Sequence, residues 1–195
     1  MMEFVICEYE KVRESFPEFG AIMRNLKTQL VAKATQDWAG KTFGGMYPKS
    51  GQFGISTIIP SLFRDIGNTT LTDWEQWLTA TGNQTVMSGA NSGNIYEDYK
   101  IGICGLAFLS KVTRISEIRM QISDKKLPRM NIEEAFVYNK PAIVWENAFL
   151  LDEETGFDLY AYVTTQGPQM IQLIGAQVNR VPNKLQVSNT GAALT

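Results

Sequence analysis

From Ile95 onward the apolar residues of this chain recur at every second position, and that alternation constrains the fold more than any other feature. Ile118, Met120 and Ile122 alternate with Arg119, Gln121 and Ser123, the pattern of a half-buried strand. Tyr99 to Leu109 is a continuous apolar run fit for a buried strand. Ala142 to Leu151 and Phe157 to Thr165 flank Asp152-Glu153-Glu154-Thr155-Gly156, a glycine-ended hairpin connection. In the second arm Phe157, Leu159, Ala161 and Val163 face one way, and Asp158, Tyr160, Tyr162 and Thr164 the other. Gly167-Pro168 turns the chain into Met170 to Asn179, where Met170, Ile174, Ala176 and Val178 share a face with Gln172. With a short segment at Glu134 to Tyr138, about six strands follow one another with no helical period between them. Such a run predicts an antiparallel sandwich or barrel.

The residues before Ile95 read differently. Phe19, Ile22, Met23, Leu26, Leu30, Ala34 and Trp38 recur at helical spacing, after a start at Ser15 to Glu18 and before a stop at Gly40. The opposite face of that helix, Asn25, Thr28, Gln29, Thr35 and Gln36, is polar but uncharged, which suits contact with another chain. A turn is expected at Tyr47 to Gly51 and a short helix near Ser61 to Ile66. A further helix is expected from Thr72 to Thr81, where Thr72-Asp73-Trp74-Glu75 has the spacing of a capping box. Gly82 to Asn94 reads as a loop and marks the boundary. The expected organisation is a helical or arm-like region over 1–94, a β-sandwich core over 95–182 ending at Pro182, and a small polar tail over 183–195.

Composition narrows the chemistry. The chain has no histidine, so the most common general base and metal ligand is missing. No Gly-x-Ser-x-Gly elbow occurs, and the standard catalytic triad is excluded. Gly40-Lys41-Thr42 resembles the end of a phosphate-binding loop, but Thr35 stands where its first glycine belongs. Cys7 and Cys104 are too few for a metal site and too far apart for a redox motif; Cys104 reads as a buried small hydrophobe. Asp152, Glu153, Glu154 and Asp158 lack the alternation of a calcium loop and match a solvated hairpin tip. Glu97-Asp98 and Glu133-Glu134 point to opposite faces if extended, so neither pair is a ready dyad. No catalytic, cofactor-binding or metal-binding residue is therefore assigned, and the chain is not expected to be an enzyme.

Charged residues make up only 19% of the chain, against the usual ~25%. A polar, sparsely charged surface suits extensive protein contact, because burying an amide costs less than burying an ion. The net charge of −2 argues against wholesale nucleic-acid binding. Two basic stretches stand out. Lys111, Arg114, Arg119, Lys125, Lys126 and Arg129 face only Glu117 and Asp124, and the five bases from Arg24 to Lys49 face only Asp37. The acidic Glu3 near the start opposes a secretory signal, and no window reaches the ~20 apolar residues of a membrane span.

A helical first part, a sandwich-like second part on strands Tyr99–Leu109, Ile115–Ile122, Ala142–Leu151, Phe157–Thr165 and Met170–Asn179, and a polar surface together resemble the small single jelly-roll capsid proteins of icosahedral viruses, including archaeal ones. The resemblance implies a mainly β, jelly-roll-type antiparallel sandwich. It further implies a structural subunit of the virion, made in the host cytoplasm, that self-assembles with other capsid subunits and turns basic stretches toward the packaged nucleic acid. The 1–94 region is long for a simple jelly roll. Two other readings stay open. One is a carbohydrate- or ligand-binding sandwich using Tyr160, Tyr162 and Trp145, and the other is an enzyme using carboxylates in a sandwich or barrel cleft.

Overall fold

The computed structural model describes residues 4–38, 53–110 and 113–180. The expected helix stop at Gly40, the turn at Tyr47 to Gly51, the stop at Pro182 and the 183–195 tail lie outside the described residues.

The long helix forms where its period places it. After a short helix α1 (Val12–Ser15), helix α2 spans Phe19–Trp38, and Leu26, Leu30, Ala34 and Trp38 form its buried stripe. Its first turn closes on Glu18, whose carbonyl accepts the Ile22 N–H at 3.0 Å. Ser15, expected to open this helix, instead ends α1.

Among the described residues, twelve strands follow the alternation or are recruited to it. They are β1 (Phe4–Glu8), β2 (Phe53–Thr57), β3 (Phe63–Asp65), β4 (Glu75–Leu78), β5 (Gly82–Gly89), β6 (Tyr99–Phe108), β7 (Ile115–Ile122), β8 (Lys125–Lys126), β9 (Met130–Asn131), β10 (Pro141–Leu151), β11 (Phe157–Val163) and β12 (Gly167–Arg180). They make two six-stranded antiparallel sheets. The first has the order β1-β10-β6-β12-β2, with β4 also on β12; the second has the order β3-β5-β11-β7-β8, with β9 also on β7.

The alternation sorts side chains into two cores. Ile103, Ile143, Trp145 and Ile171 of the first sheet meet Met87, Met120, Phe157 and Leu159 of the second in one buried cluster. Cys104, Ala107, Val144 and Ala176, on the other face of the first sheet, pack under the stripe of α2. The layers therefore run helix, first sheet, core, second sheet. The face predicted for Ile174, Ala176 and Val178 is the one that meets the helix. A side chain at Gly102 would run into Leu26, so the missing Cβ lets α2 settle onto β6.

Several expectations before Ile95 give way to strands. Residues Thr72 to Thr81 are not helical. Asp73 uses its carboxylate to accept the Glu75 N–H at 2.9 Å, and β4 then alternates exposed Glu75 and Trp77 with buried Gln76 and Leu78. The segment Ser61 to Ile66 holds a single 3₁₀ turn, Pro60–Leu62, followed by β3. The expected loop from Gly82 is β5, which pairs with β11 through the heart of the second sheet. The 1–94 segment thus supplies β1 to β5 to both sheets, and the hydrogen bonding crosses the expected boundary. In the other direction, Glu134 to Tyr138, read as strand, falls mainly in a 3₁₀ turn, Glu133–Val137.

Candidate functional site

At the C-terminal end of α2, a charged cluster ties helix to sheet. Lys100 of β6 is 2% exposed, and its Nζ donates to Asp37 Oδ2 at 2.8 Å and Asp152 Oδ1 at 3.0 Å, with Glu153 Oε1 at 3.8 Å. Lys33 bridges Asp37 and Asp152 from outside at 3.2 Å each. Arg180, at the end of β12, donates to Glu153 Oε2 at 2.7 Å. The Trp38 indole N–H donates to Glu153 Oε1 at 2.6 Å, and the ring lies 5.2 Å from Lys100 Nζ and 4.8 Å from the Arg180 guanidinium carbon. The Lys100 hydrogen bond holds the Asp37 carboxyl below its ordinary range, and the Asp152 bond raises Lys33. Burial raises Asp98 nearby. A pocket of about 350 Å³ opens here, lined by Asp37, Glu97, Lys100, Asp152, Glu153, Glu154 and Arg180.

The acidic hairpin tip is thereby divided. Asp152 and Glu153 neutralise buried cations, whereas Asp158 lies on the outer face of the second sheet and accepts the Ser88 hydroxyl at 2.6 Å. Among the described residues, no group of three or more potential ligands is placed to hold a metal ion. The cluster's chemistry is to lock α2 against the β10–β11 hairpin.

The residues considered for carbohydrate binding do not meet. Tyr160 and Tyr162 lie on the outer face of the second sheet, where Arg119 stacks 5.4 Å from the Tyr160 ring and Tyr162 is exposed. Trp145 is fully buried between the sheets beside Phe149, with ring centroids 5.4 Å apart. The basic stretches are also divided. Arg114 clamps the turn before β12 by donating to Pro168 O at 3.0 Å and Gln166 O, and Arg129 pairs with Glu117 at 2.9 Å. That leaves Lys125 and Lys126 exposed in the second-sheet layer and Arg24 and Lys27 exposed on α2, roughly 20 Å away given ~10 Å per layer. Lys111, Lys41 and Lys49 lie outside the described residues.

A third place was legible only in part. The margin where β1 ends the first sheet exposes Phe4 (39%), Val137 (86%) and Tyr138 (47%). A groove of about 370 Å³ runs there between Ile6, Glu134, Val137 and Tyr138.

No family model, curated protein or solved structure matches this chain. The site must therefore be read from its own geometry. Among the described residues, no helix is long and apolar enough to cross a membrane. Sequence reading missed Lys100, Trp38 and Arg180 as a unit. The available signal was a lone lysine opening an apolar strand, which needs a carboxylate partner once buried.

Proposed function

We propose that the chain is a structural subunit of a viral capsid, which assembles by symmetry with further copies and other capsid subunits into an icosahedral shell. The observation that carries this reading is strand order. Numbered in sequence from β4, with β8 and β9 together as the fifth, the strands pair first with eighth (β4–β12), second with seventh (β5–β11), third with sixth (β6–β10) and fourth with fifth (β7–β8). That nesting is what a long antiparallel hairpin gives when it is rolled over a core, and it supports a jelly-roll-type sandwich, an eight-stranded architecture used by capsid and lectin domains. Here β1, β2 and β3 extend the sheets, and α2 clothes one of them. The outer edge of β1, unpaired among the described residues, lies beside exposed apolar side chains and suits contact between copies. In this reading the protein resides in the virion after synthesis in the host cytoplasm, and contact with packaged nucleic acid falls to Arg24 and Lys27 or to Lys125 and Lys126, on opposite sides of the molecule.

Electron microscopy of the purified chain tests the proposal: regular closed particles are expected. A chain that stays monomeric in light scattering across salt and concentration overturns it. A carbohydrate-binding module is the second reading, favoured by the exposed Tyr162 ring on the outer face of the second sheet beside Asn83 and Glu117. In that case a glycan array gives specific binding that Tyr162→Ala removes.

A further inference from the structure

We propose that β1 is the contact by which two copies join across a two-fold axis, extending the first sheet from one subunit into the next. The inference rests on the assembly reading above. The Tyr9 N–H donates to Lys140 O at 2.9 Å, which fixes the phase of the β1–β10 ladder. Val5 and Cys7 therefore turn their backbone groups toward β10, and Phe4, Ile6 and Glu8 turn theirs outward. Pro141, which has no N–H, sits opposite Glu8, where the ladder needs none. Among the described residues nothing pairs with this outer edge. Phe4–Glu8 carries no lysine, no proline and no bulge, and Glu8 at its end is its one charged side chain.

Charge disfavours one register. Antiparallel pairing centred on Glu8 would stack two carboxylates face to face, which is destabilising. Centred on Ile6, each Ile6 exchanges N–H···O=C bonds with Ile6 of the second copy. Each Glu8 N–H then reaches the Phe4 carbonyl across the axis, and every Glu8 side chain faces a phenyl ring. Phe4, Ile6 and Glu8 share one face of the strand, so the incoming Phe4 ring lies diagonal to Ile6, at the groove lined by Val137 and Tyr138. A five-residue strand pair alone falls short of the ~800 Å² per partner of a standard interface, and the exposed Phe4, Val137 and Tyr138 beside it add apolar area to the contact.

The test uses the full chain and compares wild type, Phe4→Glu and Phe4→Lys by sedimentation velocity and electron microscopy, with circular dichroism to check each fold. Phe4→Glu places like charges opposite each other and is expected to weaken association tenfold or more. Phe4→Lys meets Glu8 of the second copy and is expected to associate far better than Phe4→Glu. Hydrogen exchange at the Ile6 amide of wild type should slow as concentration rises. Particles that form equally well from all three chains overturn this contact and leave the assembly reading standing. A wild-type chain that remains monomeric overturns both.

Discussion

Lys100 places a full charge where water does not reach, and the carboxylates around it answer that charge. Removing the cation leaves Asp37, Asp152 and Glu153 facing one another. Lys100→Ala is therefore expected to cost about 3 kcal/mol in urea denaturation, the low end for a broken buried pair because the carboxylates still touch solvent. Lys100→Met should cost less than Lys100→Ala, since it restores the buried volume. The pH dependence follows from the shifts. Asp37 is depressed in the fold, so its contribution is intact above its ordinary value near ~3.9 and is lost as pH falls through the lower folded value. Lys33 is raised, so its contribution is intact below its ordinary value near ~10.4 and is lost as pH climbs through the higher folded one. Between those limits thermal melting should be flat with respect to Asp37 and Lys33. With no histidine in the chain, no side chain titrates near neutrality at its ordinary value. Backbone proximity makes a second residue-scale demand. A Cβ on Gly175 would collide with the carbonyl oxygen of Gly102 on the neighbouring strand, so Gly175→Ala is expected to cost about 1–3 kcal/mol.

At the scale of elements, α2 and β4 show what sequence could and could not reveal. The helix was legible because its apolar stripe repeats over five turns, long enough for period to outweigh single residues. Strands β7, β11 and β12 were legible by their period of two, and β6 and β10 by their continuous apolar runs and the hairpin connection after β10. At β4 and the residue before it, the apolar Trp74, Trp77 and Leu78 mimic a helical face, yet Trp77 is 58% exposed and Gln76 is fully buried. Gln76 is admitted because its amide donates to Trp74 O at 2.8 Å and to Ile171 O at 3.3 Å, and the second bond joins distant segments in a way that no local pattern encodes. The charged cluster was hidden likewise, since Asp37, Lys100 and Arg180 come from three elements and Asp152 from the β10–β11 connection. Two substitutions separate the elements. Leu30→Ala in the stripe should cost about 2–5 kcal/mol, whereas Trp77→Ser on the exposed side of β4 should stay within about 0.5 kcal/mol.

Across the whole molecule, strands far apart in sequence are neighbours in space. β1 pairs with β10, and β4 and β2 both pair with β12, so much of the sheet forms only after long loops have closed. Refolding monitored by stopped-flow fluorescence is accordingly expected on the millisecond-to-second scale, slower than a helical bundle of equal stability. The sheets' nesting was not legible in the sequence, because period two gives the faces of a strand but not its partners. The two thiols are also placed by this architecture. Cys7 and Cys104 both lie in the layer beneath α2, and burial pushes Cys104 up to about 12. An alkylating reagent thus finds almost no thiolate while the helix is seated. The unmodified chain carries its own chemical clock: the rate at which Cys104 is labelled reports how often α2 lifts from the sheet, with no probe introduced.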